Sequence, residues 1–246
     1  MLCLAGSFLG LPYEKCRGYL LRLWGKFSCY ILDLKLQVQG DAPDPPFILV
    51  SNHLSYLDIF VLFSQLRCLF VAKSDVKTWP LVGFIIRTCG ILFIDRNRKR
   101  DIKRVNTLIS KNITDHQGII IFPEGTTSPG MKILPFKTSL LENPASMQIP
   151  VTYATIRYKT SENTGNKPAY EVMCWWDDTP FMVHFFNFLK LKQSEAFIRF
   201  GKEYVQEGDR KILAQNIYSR MTEQFEPVVE EAEFQKKHGP FEPLAI

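Results

Sequence analysis

The sequence predicts an α/β fold: a single domain with a mixed central sheet flanked by helices, plus an amphipathic helical segment at the N-terminus. Short apolar runs typical of buried strands alternate along the chain with longer segments of helical periodicity. Apolar residues are 46% and charged residues 22% of the 246 positions, which excludes fibrous and disordered proteins. Because no stretch rich in Pro, Gly or Ser divides the chain, its length predicts one large domain.

The first predicted element is a helix over residues 15–31. Helical periodicity places its basic side chains on one side and large apolar side chains on the other. The basic side consists of Lys15, Arg22 and Lys26, and the apolar side consists of Leu20, Leu23, Trp24, Phe27 and Ile31. Such a helix fits a membrane interface, and it fits equally well an element packed on the core.

The remaining elements alternate in type. Seven apolar runs predict strands at 47–50, 69–72, 91–94, 118–122, 149–156, 170–176 and 196–200. Further helices are predicted at 55–66, 100–116, 181–191 and 210–233. The predicted organisation is an N-terminal helical membrane-interface segment at 1–40, the sheet domain at 41–234 and a polar C-terminal tail at 235–246.

Neither a membrane span nor a metal site is predicted. The longest charge-free stretches, 1–13 and 143–156, are shorter than the ~18 apolar residues of a spanning helix. Residues 1–13 lack the features of a secretory signal and fit either a segment dipping into one leaflet or the remainder of a longer anchor. The six Cys form no C-x-x-C pair and no Cys/His pair at zinc spacing, which predicts reduced, structural thiols.

The first candidate site is a His and an Asp five residues apart, His53 and Asp58. On a regular helix they would point ~140° apart and could not meet. If Ser55 is the N-cap of the helix, however, His53 lies in the preceding loop and can fold back onto the carboxylate. Such a pair is the base and orienting half of a catalytic triad. The alternative is that Asp58 completes a capping box and His53 is an ordinary loop residue.

The chain offers no obvious protein nucleophile for this pair. There is no G-x-S-x-G elbow, and no Cys stands beside His53 in the sequence. The pair would therefore activate a nucleophile that belongs to the substrate, such as a hydroxyl. This points to group transfer onto an alcohol.

Basic residues form a second candidate site after the apolar run that begins at Gly90. The run ends in Asp95 and Arg96, and six of the nine residues at 96–104 are basic. Such a cluster binds phosphate, anionic lipid headgroups or nucleic acid, or it is a solvated helix start. A nucleic-acid partner is not predicted, because aromatic residues for base stacking are not interleaved with the basic ones.

A third candidate site follows the predicted strand at 118–122. Pro123 breaks the strand, and the turn that follows carries a carboxylate, a glycine and three hydroxyls: Glu124, Gly125, Thr126, Thr127 and Ser128. Met131 stands where a phosphate-loop lysine would be, which excludes a nucleotide P-loop. The turn either holds a polar headgroup or merely connects two elements.

Four segments together resemble the ordered sequence blocks of the glycerolipid acyltransferases, which include the 1-acylglycerol-3-phosphate acyltransferases. The segments are Asn52–Asp58, Gly90–Arg96, Phe122–Ser128 and Ile149–Val151. Four blocks in the right order are far more specific than any one of them. The resemblance covers about residues 45–205 and identifies 41–234 as an acyltransferase domain.

The resemblance implies a mechanism. His53 would be the general base that deprotonates a lysolipid hydroxyl, which then attacks the thioester of acyl-CoA or acyl-carrier protein, and Asp58 would orient His53. The predicted acceptor-binding residues are Arg96, Glu124, Gly125, Thr126, Thr127 and Lys137. The block at Pro150 would shape the acyl site. The resemblance implies no metal, no cofactor besides the acyl donor and no acyl-enzyme intermediate.

One departure bears on the acceptor. Many lysophosphatidate enzymes carry an Arg where this chain has Thr127, and so this turn lacks a guanidinium suited to bidentate phosphate binding. Arg96, Lys132 or Lys137 can compensate, in which case the acceptor is 1-acylglycerol 3-phosphate and the product phosphatidic acid. Otherwise the acceptor is another lysolipid, such as lyso-ornithine lipid or a lysophospholipid.

The expected partners are the membrane lipid surface, a lysolipid acceptor and an acyl donor. The expected location is the cytoplasmic face of a membrane, with the chain bound peripherally or monotopically or held by a short N-terminal anchor. A different class of function stays open: a non-catalytic protein that binds anionic lipids through residues 96–104 and the first helix.

Overall fold

The computed structural model describes residues 13–73, 92–94, 107–109, 111–161 and 167–243. Within these ranges the strands are β1 (Leu34–Gln39), β2 (Ile48–Ser51), β3 (Cys68–Lys73), β4 (Leu92–Ile94), β5 (Gly118–Ile121), β6 (Val151–Thr160) and β7 (Ser194–Phe200). The helices are α1 (Tyr13–Ile31), α2 (Leu57–Gln65), α3 (Glu142–Ser146), α4 (Ala169–Val172), α5 (Phe181–Phe188), α6 (Arg210–Gln224) and α7 (Glu231–His238). A 3-10 helix, Thr138–Leu141, leads into α3.

The strands join in one mixed sheet, in the order β1-β7-β6-β2-β5-β3-β4. All neighbouring pairs are parallel except β6 and β7, which are antiparallel. Every residue of β2 and β5 is buried, as expected for central strands covered on both faces. The predicted fold class is therefore confirmed.

Helices cover both faces of the sheet. Leu49 of β2 points into a core built with α1, α2, α4 and α5. Its neighbours Ile48 and Val50 point the other way, into a core built with α3 and α6. This alternation follows from the two-residue period of a strand and makes the central strands the shared floor of two cores.

Helix α1 confirms the predicted N-terminal helix, and it packs on α2 through small residues. Its buried positions are Gly18, Gly25 and Cys29. A Cβ placed at Gly25 would lie 2.5 Å from the backbone nitrogen of Ser64, so only glycine permits this approach. Large residues of the predicted apolar side stay outside: Leu23 is 64% exposed and Phe27 58%. None of the described helices is both long and apolar enough to cross a bilayer.

Strand β1 has no counterpart among the predicted strands. Leu34 and Leu36 alternate with Lys35 and Gln37, and the strand pairs in parallel with β7 along its whole length. The predicted segment 1–40 thus contributes a strand to the sheet as well as a helix.

The segment predicted as a strand at 170–176 is not a strand. Ala169–Val172 form the short helix α4, and residues 174–176 are irregular. The apolar run is buried, but its backbone bonds elsewhere: the amide of Trp175 donates to the carbonyl of Leu54 at 2.8 Å. Burial and apolarity alone do not separate these two structures over so short a run.

The helix predicted at 210–233 is divided in two. α6 ends at Gln224 and α7 begins at Glu231, and Pro227 lies between them. Proline lacks the amide hydrogen that a helix interior requires, which explains the break. Phe234 of α7 is buried against Tyr170, so α7 crosses the predicted start of the polar tail. Of the helix predicted at 100–116, the described residues 107–109 and 111–112 are helical.

Candidate active site

The loops after β2 and β5 bring the first and third candidate sites together. These strands are parallel neighbours, so both loops leave the same edge of the sheet. The amide of Ser128 donates to the carbonyl of His53 at 3.0 Å and joins the loops directly. The side-chain amide of Asn52 also makes two hydrogen bonds to the backbone of Ile156, at 3.0 and 2.7 Å. The loop that carries His53 is thereby fixed to both neighbouring strands.

His53 and Asp58 meet, as the loop hypothesis requires. Nδ1 of His53 lies 2.7 Å from Oδ2 of Asp58. The same oxygen accepts the backbone N–H groups of Leu54 at 2.8 Å and Ser55 at 3.1 Å. A carboxylate that gathers donors in this way holds the imidazole with its proton on Nδ1. Nε2 is then left as the basic nitrogen, and it makes no hydrogen bond to the described part of the chain.

The reason why the loop folds back differs from the prediction. The residue preceding α2 is Tyr56, and no side chain caps the helix there. The hydroxyl of Ser55, predicted as the N-cap, is buried and bonds to no described residue. Asp58 holds the loop instead, because its carboxylate, in the first turn of α2, accepts hydrogen bonds from the amides of Leu54 and Ser55.

A residue that the sequence did not indicate completes the carboxylate's surroundings. The hydroxyl of Tyr158, on β6, donates to Oδ1 of Asp58 at 2.5 Å. Tyr158 is 1% exposed, and burial together with the charge of Asp58 raises the pKa of its phenol well above the ordinary value. Both oxygens of Asp58 therefore have donors, although Asp58 itself is fully buried.

The imidazole of His53 is held between the carboxylate and an aromatic ring. The ring of Phe122 stacks on it with centroids 4.0 Å apart and planes 14° apart. Phe122 in turn stacks on Phe70 at 5.8 Å. The side chain of His53 is still 22% exposed, so it can be reached from outside while most of its surface is dry.

Glu124 is the second buried carboxyl group of the site. It is 2% exposed, and in the described part of the chain its oxygens make no close hydrogen bond, although the backbone of His53 and Leu134 approaches them. Burial raises its pKa well above the ordinary value, and the negative charge of Asp58 raises it further. The backbone of His53 and Leu134 lowers the pKa of Glu124, but by less than burial and Asp58 raise it. The site therefore favours Glu124 as a neutral carboxylic acid, which can donate a hydrogen bond.

The other predicted acceptor-binding residues lie in the same turn or outside the described residues. Gly125 has φ +76°, a conformation that favours glycine. Thr126 is buried, and the hydroxyl of Thr127 donates to the carbonyl of Trp175. The amide of Lys137 donates to the carbonyl of Pro123 at 2.8 Å, which places its backbone beside the turn. Arg96 lies outside the described residues, as does the rest of the basic stretch 96–104.

Comparison with known proteins identifies the family of this fold and site. A family model described as "Acyltransferase" matches residues 35–157. Over 218 residues the chain is 32% identical to the lyso-ornithine lipid O-acyltransferase of Rhizobium meliloti (strain 1021), a match covering 84% of this chain and 75% of that protein. The chain belongs to the acyltransferase family.

An enzyme named for a phosphate-bearing acceptor and a solved structure also resemble the chain. It is 34% identical over 150 residues to the 1-acyl-sn-glycerol-3-phosphate acyltransferase of Neisseria gonorrhoeae, which covers 59% of this chain and 58% of that enzyme. The crystal structure of the 1-acyl-sn-glycerophosphate (LPA) acyltransferase PlsC from Thermotoga maritima shares the fold. Its TM-score is 0.62 at 24% identity, covering 90% of this chain and 86% of that one. The resemblance read from the four blocks is confirmed, and the protein is an O-acyltransferase.

The site of this acyltransferase has the parts of a general base. The carboxyl ends of β2 and β5 bring together the imidazole of His53, the buried carboxylate of Asp58 that orients it, and the ring of Phe122 that stacks on it. The sequence indicated His53, Asp58 and the Glu124 turn, but it did not indicate Tyr158 or the stacking of Phe122. Tyr158 lies 100 residues from Asp58, and strand alternation reveals its face without revealing its partner.

Proposed function

We propose that this acyltransferase moves an acyl chain from acyl-CoA or acyl-carrier protein to the free hydroxyl of a lysolipid, with 1-acylglycerol 3-phosphate as acceptor and phosphatidic acid as product. One observation carries the proposal: the pair His53–Asp58, closed at 2.7 Å, leaves Nε2 as a base without supplying a protein nucleophile. The Rhizobium and Neisseria relatives are named as acyltransferases of lysolipids, which supports this substrate class.

The proposed step balances within the two substrates and His53. Nε2 removes the proton of the acceptor hydroxyl, and the oxygen attacks the thioester carbonyl. The tetrahedral intermediate collapses, the C–S bond breaks, and the leaving thiolate takes the proton back from Nε2. Asp58 stabilises the imidazolium that exists between these events. No further cofactor enters the proposed reaction.

In the proposed complex, the turn after β5 binds the acceptor headgroup. A neutral Glu124 donates its proton to a phosphate oxygen, whereas an ionised one would repel it. Gly125 and Thr126 form the part of the turn that contacts the headgroup, and Arg96 and Lys137 supply positive charge to it. The block at Ile149–Val151 shapes the acyl site. Thr127 takes part through the turn's backbone, because its own hydroxyl donates to the carbonyl of Trp175.

Thr127 also favours a second acceptor, lyso-ornithine lipid. Thr127 carries no positive charge, and its hydroxyl already donates to the carbonyl of Trp175, so its side chain offers a phosphate neither a cation nor a free donor. Lys132 is paired with Glu231 at 2.7 Å, which reduces its positive charge toward a ligand. An amino-acid headgroup has less need of such cations than a phosphate monoester has. The Rhizobium relative, which aligns with 84% of this chain, carries the name of this activity.

Two helices supply the proposed membrane contact. On α1, Leu23, Phe27 and Tyr30 are 64%, 58% and 82% exposed, and on α5, Val183 and Phe186 are 51% and 55% exposed. Exposed apolar side chains of this number on one side of a protein indicate a partner surface.

These two apolar faces belong to the same layer of the protein. Residues of both helices belong to the same core cluster. Trp24 of α1 contacts Phe60 of α2, and Phe181 of α5 contacts Tyr56, the residue before α2. The segments that follow the two helices are joined just before β1 and β7, where the amide of Gln193 donates to the carboxylate of Asp33 at 2.9 Å. A lipid surface at the cytoplasmic face of a membrane would receive both faces together, with Lys26 near the headgroups.

Acyl transfer is tested by release of the donor thiol when purified protein meets acyl-CoA and either lysolipid. His53→Ala should abolish release while the protein remains folded. The matched control is His116→Ala, which precedes β5 at the opposite edge of the sheet and should behave as wild type. Full activity of His53→Ala would refute the base assignment. Vesicle binding without acylation of any acceptor would instead support the non-catalytic lipid-binding alternative.

Membrane contact is tested by flotation with vesicles that contain anionic lipid. Phe27→Asp and Phe186→Asp should each reduce the floated fraction, because a charge replaces an inserted ring. Ile212 is 50% exposed on α6, which packs on the other face of the sheet, and Ile212→Asp should float like wild type. Equal loss in all three variants would contradict the proposed face.

A further inference from the structure

We propose that Tyr158 is a positioning residue for acyl transfer: its hydroxyl holds the Asp58 carboxylate, and through that carboxylate the imidazole of His53, in the geometry that the reaction uses. The inference rests on the proposed role of His53 as the base. It assigns a role to a residue outside all four sequence blocks, on the strand that follows the last of them.

The distribution of donors around Asp58 makes this role specific. Oδ2 accepts three hydrogen bonds, from His53 and from the amides of Leu54 and Ser55. Oδ1 accepts from Tyr158 at 2.5 Å. Since Asp58 is fully buried, solvent does not reach Oδ1 to replace the phenol. Without Tyr158, Oδ1 would be a buried, charged oxygen without a donor, and the carboxylate would be free to tilt away from its position against His53.

The position of Tyr158 is itself fixed by the sheet. Tyr158 lies opposite Ala196 in the antiparallel ladder of β6 and β7. Two residues earlier, Ile156 is bound by both ends of the Asn52 side chain, and Asn52 directly precedes His53. The strand and the loop are therefore held in register, and the phenol approaches Asp58 from a rigid support.

The hydrogen bond also sets the charge balance of the pair. The titratable groups that face Asp58 are His53, Glu124, Tyr158 and Cys174, and Cys29 faces Tyr158 in turn. The phenol spreads part of the negative charge of Asp58 away from the imidazole. When the phenol is removed, the full negative charge of Asp58 faces the imidazole, which changes the electrostatics of the base.

The test is Tyr158→Phe in the full chain, assayed for acyl transfer across pH. We expect kcat to fall by about tenfold or more, because a hydrogen bond to a buried charge is lost, with KM for both substrates unchanged. We expect the acid limb of kcat/KM to move to higher pH, because the full charge of Asp58 then faces the imidazole. The control is Tyr153→Phe, a buried tyrosine on the opposite face of the same strand, for which neither quantity should change.

A second measurement covers the case in which Tyr158→Phe does not fold. Site-specific replacement of Tyr158 by a fluorinated tyrosine keeps the shape and strengthens the donor, so the acid limb should move to lower pH. Unchanged kcat and an unmoved acid limb in either variant would overturn the inference. Absence of transfer by the wild-type protein would instead refute the proposed function, so the two failures are distinguishable.

Discussion

The hydroxyl of Tyr56 donates a hydrogen bond to Nδ1 of His184 across 3.1 Å and so joins the loop of His53 to helix α5. The other ring nitrogen of His184 lies 3.1 Å from the carbonyl of Cys174, which can only accept. Nε2 therefore carries a proton, and because burial lowers the pKa of this imidazole, the neutral form in which Nδ1 accepts is favoured. Phe181 and Phe185 pack their edges on the same tyrosine ring. A helix with an exposed apolar face thus contacts the residue midway between His53 and Asp58.

Protonation of His184 should weaken the fold. Burial lowers its pKa from the ordinary value of 6.5, so the unfolded chain takes up the proton first as pH falls. Stability is fully present above 6.5 and is lost as pH falls from there toward the folded-state pKa. Denaturant unfolding followed from about pH 8 down to about pH 5 measures this loss. His184→Gln should show a shallower decline over that range, and an identical decline would contradict the assignment.

Loss of the Tyr56 hydroxyl should destabilise the protein. Tyr56→Phe leaves Nδ1 of His184 buried without its donor, at an expected cost of about 1–3 kcal/mol in the free energy of unfolding. Tyr30 is 82% exposed, so Tyr30→Phe is the matched control and should change stability by less than about 0.5 kcal/mol. Equal stability of the two variants would show that the bond to His184 contributes nothing.

Replacement of Glu124 by glutamine should stabilise the protein while impairing transfer. Burial holds the pKa of Glu124 well above its ordinary 4.5, so the unfolded chain loses this proton first as pH rises. Above pH 4.5 the free energy of unfolding of the wild type therefore falls relative to that of Glu124→Gln, by at most about 1.4 kcal/mol per pH unit. Unfolding at about pH 5 and about pH 8 measures the difference. The exposed Glu242→Gln should show none, and a Glu124→Gln effect of equal size at both pH values would be inconsistent with this account.

The contact between α1 and α2 should be sensitive to a single methyl group at Gly25. The new Cβ of Gly25→Ala would meet backbone atoms of Phe60, Phe63 and Ser64 within 2.9 Å, which forces the helices apart. We expect a loss of about 1–3 kcal/mol in denaturant unfolding. Gly18→Ala, on the same helix, meets Cβ of Arg67 at 3.2 Å and the carbonyl oxygen of His116 at 3.5 Å. These contacts are milder and the substitution gains helix propensity, so its effect should be smaller. The reverse order would contradict the packing described.

Spacing placed His53 and Asp58 within reach of each other, but it left the capping-box alternative open. The resemblance of four segments to the acyltransferase blocks is what assigned this pair and Glu124 to one site, and the parallel pairing of β2 with β5 then brings them together. Tyr158 could not be predicted in this way, because its partner is set by the register of β6 against β2. Ser55 was predicted wrongly as the cap, since the pattern that allows a serine cap also allows a carboxylate to bond backward to two amides.

The errors in the fold have a similar origin. β1 alternates apolar and polar residues over only six positions, and its partner β7 is remote in sequence. The run at 170–176 satisfies the apolar pattern of a strand, but the tertiary bond from Trp175 to Leu54 determines its path. In both places a long-range contact decides what a short pattern leaves open.

The pairing of β1 with β7 has a consequence for the order in which the chain is completed during translation. Ser194 lies some 160 residues after its partner Leu34, so the ribosome releases β1 long before β7 exists. During that interval the hydrogen-bonding groups of β1 have no native partner and can recruit a strand from another nascent chain. The strand that is made first is therefore among the last to be paired. A chain that ends before Ser194 would keep β1 unpaired, as a template for aggregation.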